Sequence, residues 1–163
     1  MTLRTLEGTY KQVVDEMHEH AREAYGYSYE RVIFTNGCFD ILHMGHLSVL
    51  AHCRELAGPK GAVVVGLNSD KSVKALKGSG RPIMNETERA TMLAYLKTVD
   101  HVFIFEEETP LELIQALRPD VIVKGGDYVN QKVVGSELAT VVCSNLLPDH
   151  STTDIIQRIK ENG

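Results

Sequence analysis

His43 and His46, with Met44 and Gly45 between them, follow the small-residue stretch Thr35-Asn36-Gly37-Cys38 and the pair Phe39-Asp40. An apolar run, Arg31-Val32-Ile33-Phe34, precedes this stretch, and an amphipathic run reaching Ala57 follows it, so it reads as a strand-to-helix junction. The first amides of a helix lack intrahelical partners and its dipole favours anions, which suits such a junction to phosphate. Imidazoles three residues apart lie on neighbouring parts of one helical face, from which both can donate to phosphate oxygens. Gly45 removes the side chain that would keep a ligand off the backbone. Two other readings stay open on these residues alone. One is a metal pair, for which no Cys or carboxylate stands at zinc-type spacing as third ligand; the other is two ordinary histidines at a helix start.

The elements that must position this junction alternate in type. Tyr10, Val13, Met17, Ala21 and Ala24 recur at helical spacing behind a Thr9/Gln12 capping pattern, predicting a helix from Thr9 to Tyr25 packed on the main domain. Strands are expected at 31–35, 62–67, 102–105, 121–124 and 140–143. The continuously apolar 62–67 fits a parallel strand covered on both faces. Helices are expected after the first strand as far as Ala57, at 85–96 behind Asn85 and Glu88, and from a Thr109-Pro110-Glu112 start to Leu117. A last helix, 151–160, opens on a Ser151/Asp154 capping box.

This order predicts an α/β protein with a doubly wound parallel sheet: one domain, 29–163, with an N-terminal helical extension, 1–28. Ligands of such sheets lie beyond the carboxyl ends of the strands. That places Asn36-Gly37-Cys38-Phe39, Asn68-Ser69-Asp70 and Gly125-Gly126-Asp127 along one rim. Lys71, Lys74, Lys77 and Arg81 form a basic cluster, by default a solvated loop or helix face, although Gly78 and Gly80 suit a loop that closes over a substrate. His18, His20 and His52 read as helix-surface residues and His101 as a strand boundary, without a role.

Bulk properties narrow the class. The 163 residues are 43% hydrophobic and 24% charged, ordinary for a soluble globular domain. The net charge of -5 argues against a nucleic-acid partner held by bulk electrostatics, so an anionic substrate must be held by local groups. No apolar run is long enough to cross a membrane, and the start does not resemble a signal peptide. Cys38, Cys53 and Cys143 fit reduced thiols in the cytoplasm.

The ordered set Gly37-x-Phe39-Asp40-x-x-His43-x-Gly45-His46 resembles the signature of the HxGH nucleotidyltransferases, the cytidylyltransferase-like superfamily. The resemblance implies a Rossmann-like fold and transfer of a nucleotidyl group to a phosphate oxygen of an acceptor, with release of pyrophosphate. In such an enzyme His43 and His46 would bind the phosphates and stabilise the transition state, with the amides of Cys38 and Phe39 and the cradle of Asn36, Gly37 and Gly45. Ser151-Thr152-Thr153 resembles a family motif that holds the β- and γ-phosphates, a role compatible with capping. Lys77 matches a lysine that reaches the phosphates from the acceptor side, the third catalytic group. Arg89 matches a family arginine, while an ion pair with a carboxylate is an equal reading of it.

The acceptor set is thus Asp40, Asn68, Asp70, Arg81 and Arg89, and Lys124, Gly126 and Asp127 join the nucleotide set. Mg²⁺ is expected on the triphosphate, with no metal site of the protein's own. Cys38 lies in the site without acting as nucleophile, since no covalent intermediate is needed.

Later motifs select a branch. Val123-Lys124-Gly125-Gly126-Asp127-Tyr128, Leu76-Lys77-Gly78, Arg81-Pro82, Thr109-Pro110 and Gly135-Ser136 resemble the heptose 1-phosphate adenylyltransferases. The likeness implies ATP as nucleotide, a sugar 1-phosphate as acceptor, D-glycero-D-manno-heptose 1-phosphate foremost, and a homodimer; bifunctional members carry a sugar-kinase domain ahead of this one, and with none in this sequence a stand-alone transferase is expected. A CTP-dependent enzyme acting on glycerol 3-phosphate or another polyol phosphate is the runner-up. It is weakened because Leu146-Leu147-Pro148-Asp149-His150 lacks the arginine that precedes the Ser-Thr-Thr of those enzymes. A nucleotide-binding regulatory module without turnover, and an oligomerising scaffold, are the readings outside enzymology.

Overall fold

The computed structural model describes residues 10–126, 132–145 and 150–163. The elements run α1 (Tyr10–Tyr25), β1 (Val32–Gly37), α2 (Met44–Ala57), β2 (Ala62–Asn68), α3 (Asp70–Lys77), α4 (Glu86–Ala94), β3 (His101–Phe105), α5 (Leu111–Leu117), β4 (Val121–Gly125), β5 (Thr140–Ser144) and α6 (Thr152–Asn162). The five strands are parallel, in the order β3-β2-β1-β4-β5. This is the doubly wound Rossmann-like sheet that the alternation predicts. The chain winds outward from β1 to β3, then crosses to the other side of β1, so the order reverses between β1 and β4.

Pairing at that reversal is short. β1 and β2 stay in register from Val32 opposite Ala62 to Gly37 opposite Leu67, whereas β1 and β4 pair only at Ile33–Val121 and Phe34–Ile122. Beyond Phe34 and Ile122 the two strands part, and a crevice opens at their carboxyl ends.

Alternation within the strands supplies both faces of the core. Phe34, Val64 and Ile122 pack with Val13 and Met17 of α1 and with Leu113, Ile114 and Leu117 of α5. Ile33 and Val63 pack with Cys53 and Ala57 of α2, and Val65 and Leu67 with Leu50 of α2 and Leu93 of α4. Every residue of β2 is buried, which is why its sequence shows no polar alternation. Gly66 is required there: a Cβ would stand 2.8 Å from the Phe34 ring. At the opposite end of the sheet, acids between elements fix the strand starts. Asp120 accepts from the Val32 amide at 2.7 Å, and Asp100, ion-paired with Arg54, accepts from the Val63 amide at 2.7 Å.

Three expectations need adjusting. Lys71, Lys74 and Lys77 of the basic cluster sit on a helix that was not expected as an element, α3, capped by Ser69 and ended by Gly78 at φ 91, and Arg81 lies beyond it. With only Ser72 and Val73 buried, α3 has too little apolar face for periodicity to reveal it. α5 opens at Pro110 with no side-chain cap bond, so the Thr109/Glu112 box does not form. β1 runs on to Gly37, two residues past its expected end. The N-terminal helix packs as its apolar face predicts, and Tyr10 adds a bond from its hydroxyl to Glu107 at 2.6 Å; Thr9 lies outside the described residues. Among the described residues no helix is long and apolar enough to cross a membrane.

Candidate active site

β1 delivers a loop held in unusual backbone geometry. Phe39 and Ile41 have φ of 45 and 56, a left-handed conformation rare for any side chain and rarest for a β-branched one, so the surroundings must enforce it. Asp40 between them does much of this. Its side chain is fully buried and accepts from Arg81 Nε at 2.5 Å, from the Ile83 amide at 2.9 Å and from the Met84 amide at 3.0 Å. Burial would raise this carboxyl, but the Met84 and Ile83 amides and Arg81 outweigh it and hold Asp40 below the usual carboxylate value.

The loop ends on His43, which caps α2 rather than belonging to it: its φ is -143, and Nδ1 accepts from the Gly45 amide at 3.1 Å. Although not on a shared helical face, the rings of His43 and His46 stack, with centroids 3.7 Å apart and planes 26° apart. Phe39 lies 5.0 Å from the His46 ring. Burial, with His43 adjoining, drives the His46 pKa down to about 3. Burial and the nearby His150 lower His43 as well. Both imidazoles are therefore neutral near pH 7. The amide bonded to Nδ1 of His43 leaves its proton on Nε2, as a donor.

The start of α6 closes against this loop. A Cβ on Gly45 would come within 2.8 Å of the His150 carbonyl oxygen, so glycine permits the approach. Thr152, 8% exposed, donates its hydroxyl to the Asp40 carbonyl at 2.5 Å. Ser151 makes both halves of the capping box with Asp154, while Thr153 is exposed.

A cavity of about 740 Å³ lies over the crevice. β1 and its loop give it Asn36, Gly37, Cys38, Phe39 and Asp40; the α2 start gives His43, Gly45 and His46. Lys77 and Arg81 reach it from the α3 side, Asn68 from β2, Lys124 from β4, and Ser151, Thr152 and Thr153 from α6. Lys124, 8% exposed, donates its ammonium to Asn36 Oδ1, and burial lowers its pKa to about 8. Burial also raises the Cys38 thiol, against the pull of Lys77, Arg89 and Arg81, and keeps it a protonated, poor nucleophile.

The acceptor set drawn from the sequence divides. Arg89 does not line the cavity. It is 1% exposed and donates to the carbonyls of Met84, Cys38 and Asn68 at 2.9, 2.6 and 2.9 Å, and to Asp70 at 2.7 Å. Of its two readings, the ion pair is the one formed. Asp70 lines a separate surface cavity with Ser69, Lys71 and Glu86. Asn68 donates to Ser72 Oγ at 2.9 Å. In the nucleotide set Gly125, not Gly126, lines the cavity, and Asp127 lies outside the described residues.

Sequence reasoning missed Glu108, Thr109, Pro110, Lys132, Asn145 and His150 of the lining. Thr109 and Pro110 follow the carboxyl end of β3, the signal used for the other rim loops. His150 was signalled only by standing next to Ser151.

Residues 34–158 match the cytidylyltransferase-like family. The bifunctional protein HldE of Helicobacter pylori strain P12 is 52% identical over 132 residues, covering 80% of this chain and 28% of that protein. The bifunctional protein HldE of Campylobacter fetus is 52% identical over 130 residues, covering 79% and 28%. The chain thus spans little more than a quarter of the length of these curated relatives. Among solved structures, the lipopolysaccharide core biosynthesis protein of Thermoplasma volcanium is similar at 25% identity and a TM-score of 0.55, covering 72% of this chain and 96% of that one.

Proposed function

The chain belongs to the cytidylyltransferase-like family of nucleotidyltransferases, and from that membership we propose that it transfers AMP from ATP to a sugar 1-phosphate, with D-glycero-D-manno-heptose 1-phosphate as first candidate. The products are an ADP-sugar and pyrophosphate. The observation that carries the reading is the stacked pair His43 and His46 facing one cavity with the Ser151-Thr152-Thr153 helix start. Support for ATP and a sugar comes from the Val123–Tyr128 motif and from the half-identity to HldE proteins.

In this reading an oxygen of the acceptor phosphate forms a bond to the α-phosphorus while the bond to the α–β bridging oxygen breaks, and pyrophosphate carries away the electron pair. A phosphate monoester is already an anionic nucleophile, so positioning and charge stabilisation are the protein's task. His43 and His46 each offer one N–H to oxygens whose charge grows in the transition state. The amides of Cys38 and Phe39 at Gly37 and Asn36, together with Thr153 and the α6 amides, hold the triphosphate. Lys77 reaches it from the acceptor side, and Lys124 supplies a second cation. Mg²⁺ brought in on the triphosphate would supply neutralisation of phosphate charge; among the described residues no three His, Cys, Asp or Glu side chains are grouped to hold an ion. On the same reading the protein works as a homodimer in the cytoplasm, its three cysteines unpaired.

The test is competition between ATP and CTP with a panel of sugar and polyol phosphates, the products resolved by mass. ATP is expected to exceed CTP in kcat/KM by at least about tenfold, roughly 1.4 kcal/mol of transition-state binding. A majority of CDP-linked product would replace the adenylyl reading by the cytidylyl one. Nucleotide binding without pyrophosphate release from any pair would replace it by a regulatory module.

A further inference from the structure

The segment joining α3 to α4 brings Arg81 to the cavity wall shortly after Lys77. Its anchor is a single carboxylate. Asp40 takes the Arg81 guanidinium and two successive amides, Ile83 and Met84, all from one four-residue stretch. From the far side Arg89 takes the Met84 carbonyl and, with the same side chain, the Cys38 carbonyl of the β1 loop. The backbone of Asp40 meanwhile receives the Thr152 hydroxyl of α6. One residue therefore ties the acceptor-side segment, the histidine loop and the nucleotide-side helix start to one another.

That carboxylate has no exposed surface, and both its oxygens are occupied. A substrate hydroxyl could reach it only by displacing Arg81 or one of the Ile83 and Met84 amides. We infer that Asp40 is a positioning residue that sets the 78–84 segment, and with it Lys77 and Arg81, against the histidine pair, and is not a ligand of the acceptor. Its kinetic consequence rests on the nucleotidyl-transfer reading; its structural consequence does not. The left-handed conformations of Phe39 and Ile41 fit this role, since they turn the Asp40 side chain inward and its carbonyl toward α6 within one loop.

The experiment pairs hydrogen exchange with kinetics in Asp40→Asn. The amide keeps the size of the side chain but gives up one acceptor oxygen and the charge that holds Arg81. In the substrate-free protein the Ile83 and Met84 amides are expected to exchange at least about tenfold faster, while protection in β2 stays as in the wild type. With substrates, kcat should fall at least about tenfold while the KM for the acceptor changes less than about threefold. Arg81→Ala, which leaves the Asp40 amide contacts intact, should speed the same two amides to a lesser degree and serves if Asp40→Asn does not fold. Unchanged exchange at Ile83 and Met84, or a loss confined to the acceptor KM, would overturn the inference. If the wild type releases no pyrophosphate with any substrate pair, the activity reading fails while the exchange result still decides the role of Asp40.

Discussion

Lys124 and Asn36 occupy equivalent positions on β4 and β1 when the register of Ile33 opposite Val121 is extended, and their side chains bond across the gap where the two strands have stopped pairing. The bond therefore spans the topological switch point, where open α/β sheets take their ligands. The amine is buried deeply enough to sit near its titration point in mildly alkaline solution.

A pH dependence of nucleotide binding follows. With its pKa lowered from 10.5 to about 8, Lys124 loses its charge as pH rises through about 8 in the folded protein. ATP affinity should fall between pH 7 and pH 9 by up to about tenfold, the drop in the protonated fraction. Lys124→Arg, charged throughout, should flatten that profile. Calorimetric titrations at pH 7, 8 and 9 measure it, and an unchanged slope in the arginine variant would remove Lys124 from nucleotide binding.

Replacing either stacked histidine should harm turnover more than folding. His43→Ala and His46→Ala are each expected to lower kcat by roughly 10²-fold or more, as for loss of one transition-state donor. Pyrophosphate release alongside circular dichroism separates activity from fold. Near-native kcat in a folded variant would refute the assignment for that histidine.

The buried histidine also predicts an acid-side loss of stability. His46 has its pKa lowered to about 3 in the folded state and near 6.5 when unfolded, so between those values the unfolded chain binds the extra proton. Stability then rises with pH across the window and falls on acidification from about pH 6.5 toward 3, with a slope of at most about 1.4 kcal/mol per pH unit. Asp40, with its pKa lowered from 3.8, contributes its own loss only as pH falls below that value. Urea unfolding at pH 7, 6 and 5 should show a shallower slope for His46→Asn than for the wild type.

Adjacent threonines should separate folding from binding. Thr152 is buried on the Asp40 carbonyl, so Thr152→Ala should cost about 1–3 kcal/mol of stability as well as affinity. Thr153 is exposed in the same cavity, and Thr153→Ala should weaken ATP binding with the melting temperature unchanged. Equal ATP affinity for Thr153→Ala and the wild type would confine the Ser151-Thr152-Thr153 segment to capping.

The sheet was legible because its strands are short apolar runs separated by helix caps, and part of the cavity lining because the turn, the histidine pair and the terminal helix start are each a contiguous run with a local pattern. The inward residues were not. Nothing in the spacing of Asp40, Arg81 and Arg89 distinguishes a charge facing a substrate from one satisfied within the protein, because the difference lies in bonds between segments far apart in the chain. α3 escaped because polar residues dominate it and only two of its side chains are buried. His43 as a cap rather than a helical residue was likewise invisible, since spacing alone does not say where the first turn begins.

The first described helix carries a consequence for cutting or fusing this chain. Val13, Val14 and Met17 share a core with Phe103 of β3 and with Leu113 and Leu117 of α5, and Tyr10 grips Glu107, beside the rim residues Glu108, Thr109 and Pro110. A protein trimmed to begin at Tyr29 would open an oily groove behind β3 and unfasten one wall of the cavity, so self-association and slack substrate grip should arise together. The joint to any preceding segment therefore belongs ahead of Tyr10, and a swap of catalytic modules made at that point would carry the helix along as part of the working unit.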